Sequence, residues 1–380
     1  MAKKIYYFGI LGLLLFEIAN IYFIMPMPGS QEINSIDLAY FLYSWRWIFR
    51  IVFILMLLYG FKAAFQKSKI FSIIFLVIAI GIAYVTNYVM AADSMFHQTN
   101  NLKMSDASKN KVDTSRIIIG ISYKGESRAY PIQFLGYHHQ ISDTIAQHPI
   151  LVTYCTVCRS GRVFEPIVNG QKETFRLVGM DHFNAMFEDK TTKSWWRQAT
   201  GEAIAGTLKG QSLPELQSSQ MSLKKWIALN PKSLILQADK NFKTEYDSLS
   251  NYESGRRKGN LTRRDTLSWK DKSWIVGITV GNQSKAYDWN DFVKKRIIYD
   301  VINNKPIVLV LANEKKSFIA LERNNKEQKF TLEGNQLNDG QNSYTFLGKS
   351  ANPLINELKS IKAYQEYWHS WRTFHPLTLK

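Results

Sequence analysis

Two cysteines, Cys155 and Cys158, are all that this chain of 380 residues contains. With no second pair to complete a thiolate cage, a structural zinc site of the usual four-ligand kind is excluded. No glycine-rich phosphate loop or zinc-protease helix is present, so neither a nucleotide cofactor nor metalloprotease chemistry is expected. No Gly-X-Ser-X-Gly elbow or Ser-His-Asp order supports a hydrolase. Acidic residues are scarce, 31 against 48 lysines and arginines, which leaves a net charge of +17. Long apolar runs are missing from most of the chain, and the mean hydropathy is slightly negative at −0.20. What apolar length there is lies at the front.

Residues 5–24 and 70–90 are each long enough to cross a bilayer, which takes about 20 apolar residues. Residues 48–65 form a third apolar stretch, interrupted by Arg50, which is expected to snorkel to the interface. Lys3 and Lys4 precede the first stretch, and Lys62, Lys67 and Lys69 precede the last. The intervening loop has Glu32 and Asp37 but no lysine or arginine. The positive-inside rule then sets the N-terminus in the cytoplasm and everything after Met90 outside, periplasmic or extracellular, on an uncleaved anchor in the cytoplasmic (inner) membrane. Glu17 and Asn20, inside the first stretch, read best as helix–helix hydrogen-bonding groups.

Beyond residue 90 the chain repeats itself. Gly120, Ser127, Ala129-Tyr130, Asp143 and Pro149-Ile150 recur at one constant spacing as Gly277, Ser284, Ala286-Tyr287, Asp300 and Pro306-Ile307. Trp226 and Pro231 recur as Trp371 and Pro376 at a shorter spacing, and Ala312 and Lys315 stand where the cysteines would be. The organisation expected is an anchor at 1–90, a tether at 91–115, a first repeat at 116–240, a basic connector at 241–270 and a second, degenerate repeat at 271–380. Short β-rich runs around Lys124-Gly125-Glu126 read as a hairpin. A probable helix closes each repeat, around 223–229 and 361–373. The fold class expected is mainly β (α+β): a duplicated extracytoplasmic domain preceded by a three-helix transmembrane segment.

Chemistry points to the first repeat. Cys-X-X-Cys brings two sulfurs close enough for a disulfide or a shared soft metal, and Arg159 and Arg162 beside it are expected to favour thiolate. Covalent haem is excluded because Arg159, not histidine, follows the second cysteine. A thioredoxin-like site would open a helix, whereas Ser160-Gly161 leads into another β-like run. A redox dithiol, a copper-type metal site and a structural disulfide all stay open. His138 is the best additional ligand or proton acceptor, with His139, His182, Met180 and Met186 as further candidates near a soft ion. Asp143, Asp189, Trp196 and Gln198 are candidate pocket residues, although Asp189 near the tryptophans also fits a local turn. The arginines and lysines at 256–264 suit a solvated linker face or an anionic partner; the extracytoplasmic placement argues against nucleic acid.

The run Ala129-Tyr-Pro131, His138, Asp143, Pro149 through Tyr154-Cys-X-X-Cys158, Asp189, Trp196-X-Gln198 and Gly201-Glu-Ala resembles an uncharacterised prokaryotic family known only as a domain of unknown function, DUF3179. The resemblance covers roughly residues 91–236, with a weaker echo in the second repeat. It implies no activity, substrate or catalytic residue. His182 and Arg159 depart from the family pattern as expected at those positions.

Together these features predict a membrane-anchored extracytoplasmic protein with a metal-binding or thiol-redox site at Cys155 and Cys158. The alternative is a binding module, closed by a structural disulfide, for an unidentified extracytoplasmic ligand or protein.

Overall fold

The computed structural model of the protein describes residues 1–99 and 101–380. The chain divides into two compact units. One comprises Met1–His97, Thr174–Arg197 and Glu202–Ser212; the other comprises Gln98–Glu173, Gln198–Gly201 and Leu213–Lys380.

Three helices of the first unit, Ala2–Tyr22, Arg46–Lys67 and Lys69–Val89, are long and apolar enough to cross a membrane. Large apolar side chains such as Leu55, Leu58, Val77 and Ile80 point outward and are exposed. Arg50 has side-chain partners on both other helices. Its Nε donates to Glu17 Oε1 at 2.6 Å, and its Nη2 donates to Glu17 Oε2 at 2.9 Å and to Asn87 Oδ1 at 2.7 Å. Asn87 Nδ2 completes the ring by donating to Glu17 Oε2 at 2.8 Å. The physical reason is satisfaction: a fork-shaped guanidinium matched by a carboxylate and an amide is better accommodated in an apolar bundle than a lone charge. The same unit holds a four-stranded sheet in the order Ala203–Ala205, Trp195–Arg197, Asn184–Asp189, Phe175–Asp181. Its Trp195 packs in one core with Ile24, Met25 and Ala39.

The second unit is mostly sheet. The strands Ile117–Tyr123 and Glu126–Pro131 form a hairpin, followed by the helix Ile132–His138 and the three-stranded sheet Gln140–Ile145, His148–Cys155, Ser160–Phe164. The same order of elements recurs. The hairpin Trp274–Val280 and Gln283–Asp288 precedes the helix Trp289–Lys295, and Ile297–Ile302, Lys305–Leu311 and Phe318–Glu322 follow. Gly120 lies opposite Ala129, and Gly277 lies opposite Ala286. Tyr130 donates its hydroxyl to Asp143 at 2.6 Å, and Tyr287 does the same to Asp300 at 2.7 Å. The indole of Trp226 covers Gly120 so closely that a Cβ there would come within 2.5 Å of it, and Trp371 covers Gly277 within 2.3 Å. Glycine is required at both sites by close approach, not by backbone angle.

The segment at 241–270 contains the helix Lys243–Ser248 and buries Tyr246, Leu249 and Tyr252, while Arg256, Lys258 and Arg263 are exposed. Burying its aromatic residues removes a large apolar area from water. The closing helix of the chain begins at Trp368, not near 361, because Ala363–Tyr367 is a strand paired with Trp274–Val280. Antiparallel pairing with Trp274–Val280 prevails there over helical spacing.

Candidate functional site

The two cysteines occupy the end of a β-hairpin. Cys155, the last residue of its strand, is paired with Ser160, the first of the next, so residues 156–159 form the turn. Arg159 adopts a left-handed backbone with φ of 58°, uncommon for a residue with a Cβ, and this turns the chain back into the sheet. The motif thus caps a hairpin, as expected from Ser160-Gly161, and no helix begins at it. The sulfurs of Cys155 and Cys158 lie 3.6 Å apart, are not joined, and are fully buried.

The hairpin is clamped from several sides. His139, itself at φ of 60°, accepts Tyr154 N–H on its backbone carbonyl at 2.8 Å. Its ring Nδ1 lies 2.9 Å from Tyr154 O; since a carbonyl can only accept, Nδ1 carries the proton. Burial holds this imidazole neutral, lowering its pKa to about 4. Gln198 Oε1 accepts from Ser160 Oγ at 2.6 Å, and its Nε2 donates to Thr153 Oγ1 at 3.0 Å and to Ser160 O at 3.2 Å. One amide therefore ties together both strands that carry the cysteines. Tyr252 donates its hydroxyl to Thr156 O at 2.9 Å.

Neither neighbouring arginine stabilises thiolate as expected. Arg162 is paired with buried Glu366, and its guanidinium lies 3.4 Å from the ring of Tyr364. Arg159 donates to Gln365 Oε1 at 3.0 Å and to Glu253 O at 3.1 Å, with its guanidinium 3.9 Å from the ring of Trp274. Burial pushes the Cys158 thiol up, its hydrogen bond with Cys155 reinforces this, and a hydrogen bond with His369 opposes it. The groups that face the sulfurs come from far along the chain. His369 Nδ1 lies 3.1 Å from Asp271 O and so carries a proton there, which leaves Nε2 as the ring's acceptor. Lys272 Nζ donates to Val157 O at 2.8 Å. Burial lowers the pKa of this ammonium to about 8, opposed by the charges of Cys158 and Cys155. Tyr367 N–H donates to Cys158 O at 2.9 Å. No local motif marks Lys272 or His369. The pairing of the two hairpin systems brings them in.

The other candidates are distributed differently. His138 is buried among Tyr137, Phe242 and Tyr246, with Nε2 2.6 Å from the Tyr246 hydroxyl. Asp143 is taken up by Tyr130, and the matching Tyr287–Asp300 pair occurs in the half without cysteines, so this contact accompanies the fold. Met180, Met186, His182, Asp189 and Trp196 belong to the first unit. There His182 Nδ1 pairs with Asp181 Oδ1 at 2.6 Å. Asp189 accepts from the Thr192 hydroxyl at 2.7 Å, from Ser194 N at 3.1 Å and from Trp196 Nε1 at 2.9 Å, which is the local turn arrangement. Among the described residues, no group of three or more His, Cys, Asp or Glu side chains is arranged to hold a metal ion.

A mostly sheet domain behind three apolar helices, with a buried dithiol at a hairpin tip, is the class that fold and site define. A family model described as a protein of unknown function, DUF3179, matches residues 98–378, and the chain belongs to that family. The match runs through both halves of the second unit, well beyond the 91–236 expected from the motifs alone. No curated protein and no solved structure is significantly similar to the chain.

Proposed function

We propose that the protein is anchored in the cytoplasmic membrane by its three apolar helices, and that its second unit is an extracytoplasmic duplicated domain carrying a redox dithiol. Outward-facing Leu55, Leu58, Val77 and Ile80 support the anchor, because such side chains suit hydrocarbon and not water. Duplication is supported by the recurring element order, the two Tyr–Asp clamps and the two Trp-covered glycines.

The observation that carries the redox reading is the pair of sulfurs 3.6 Å apart, with Lys272 and His369 contributed by the other half of the domain. A plain staple needs no such groups beside it. In the reaction, one cysteine loses its proton to His369 or to the neutral amine of Lys272. The thiolate then attacks a low-molecular-weight disulfide, forming a mixed disulfide and expelling one substrate thiolate. The second cysteine, deprotonated in turn, attacks the mixed disulfide, closes the Cys155–Cys158 bond and expels the other substrate thiolate. Two electrons and two protons leave the pair, and one disulfide is reduced. Burial of both sulfurs makes opening of the turn at 156–159 a condition of each step, so exchange is slow and favours small substrates. A second reading, binding of a soft ion such as Cu(I) by the same two thiolates, rests on the donor chemistry alone.

The test is a thiol–disulfide titration of the full chain in detergent against a glutathione ladder, beside Cys155→Ser and Cys158→Ser and a metal analysis of anaerobically purified protein. A reversible two-electron transition, absent from both variants, is the expected outcome. A pair locked as disulfide across the ladder, whose loss only lowers the melting temperature, overturns the redox reading in favour of a staple. Near-stoichiometric metal that disappears in the variants overturns it in favour of the metal.

A further inference from the structure

The second unit contains a cavity of about 490 Å³, lined in part by the segment that joins the two halves. Its walls come from residues 115–117, 250–264, 274–293 and 314–316, and from Gln365. Arg116, Arg256, Arg264, Lys315 and Lys316 line it, against Glu253 and Glu314. Among the described residues, none of these five cations, nor Arg159, is within ion-pair distance of a carboxylate. Those that are bonded use neutral oxygens: Arg116 donates to Ser250 O at 2.9 Å, Lys316 to Ser115 O at 2.8 Å, and Arg264 Nη2 to Asn290 Oδ1 at 2.8 Å. This is unusual in a chain whose other buried arginine at the motif, Arg162, is matched by Glu366.

The buried polar atoms point the same way. Arg264 Nε, on a lining residue, is a donor without a hydrogen-bond partner, and Arg159 Nη1, on a side chain bonded to the lining residues Gln365 and Glu253, is a second. Glu253, more than nine-tenths buried, has one oxygen held by Ile117 N at 3.0 Å, while its Oε1 is unpartnered. A buried donor left without an acceptor is unfavourable, so two of them beside unpaired cations favour a bound acceptor. Trp274 and Trp289 supply an apolar wall. Burial and the neighbouring Arg159 charge both lower the pKa of Arg264, a repulsion that an anion between them would relieve.

We infer that this cavity binds a small organic anion, a carboxylate or phosphate ester that also carries a hydroxyl group: the anion on Arg264, Arg256 and Lys315, the hydroxyl on Glu253. The inference stands apart from the redox reading, since it uses neither sulfur.

The test follows Trp fluorescence and melting temperature of the full chain in detergent, titrated with glycerol 3-phosphate, D-gluconate and inorganic phosphate. Saturable binding of a hydroxylated anion, weakened at least tenfold in Arg264→Gln and in Lys315→Gln but unchanged in Lys258→Gln outside the cavity, is expected. Lys315 is exposed, so its variant decides the matter if Arg264→Gln does not fold. Glu253→Gln should narrow the preference for glycerol 3-phosphate over inorganic phosphate. Absence of saturable binding, or equal weakening by all three cation variants, overturns the proposal. So does tighter binding of short-chain phosphatidylglycerol than of glycerol 3-phosphate, which assigns the cavity to lipid headgroups.

Discussion

Lys272 Nζ donates to Val157 O, the carbonyl between the two cysteines in the turn, across more than a hundred residues of sequence. The contact sets an amine beside two thiols in a site from which water is largely excluded. That amine has a pKa of about 8, lowered by burial, so it is charged below that pH and neutral above it.

Lys272→Met should therefore slow alkylation of the pair by a small iodoacetamide several-fold below pH 8, where the wild-type ammonium favours thiolate. Above about pH 9 the two proteins should converge, because the wild-type amine has then lost its charge. A constant ratio across the pH range would mean that Lys272 acts by packing alone.

His139 gives the domain an acid-sensitive hinge point. Its folded pKa of about 4 lies below the ordinary 6.5, so between these values the unfolded chain binds a proton that the folded chain refuses. Stability present above pH 6.5 is lost as the pH falls through 4, by about 3 kcal/mol in full. His139→Asn, which tolerates the left-handed backbone, should lower stability at pH 7 and flatten this part of the profile in urea unfolding monitored by fluorescence. An unchanged slope would assign the acid sensitivity elsewhere.

Gly120 and Gly277 offer a check on the two Trp-covered hairpins. An alanine at either position drives a methyl group into the indole of Trp226 or Trp371, and each should cost about 1–3 kcal/mol by overpacking. The two effects should be similar and close to additive, since they act in separate hairpins. Gly81→Ala, in a helix and where a Cβ meets nothing within 4 Å, should not lower the melting temperature. A large asymmetry between Gly120→Ala and Gly277→Ala would argue that the two halves are not equivalent structures.

Much of the architecture was legible from periodicity and spacing. Apolar runs located the three long helices, and the repeated Gly, Ala-Tyr, Asp and Pro-Ile marked two hairpins that do recur in order. Gln198, read as a pocket residue, ties the two strands that flank the cysteine turn. The surroundings of the sulfurs were not legible. Arg159 and Arg162 looked like thiolate partners by adjacency, yet each found a neutral amide or a carboxylate from the distant half of the chain.

Sequence by itself determined where the chain can enter an apolar medium, that the part after the apolar helices is mostly sheet, and that any thiol chemistry must involve Cys155 and Cys158. These are local properties, set by residue type and short-range period. Tertiary structure decided that Glu17 and Arg50 pair with Asn87 bonded to both, that Lys272 and His369 face the sulfurs, and that a cluster of cations lines a cavity without ion-pair contact to a carboxylate. Such pairings depend on which strands meet, and the free energy of burying a charge or a polar atom is settled only by the neighbours that long-range packing provides.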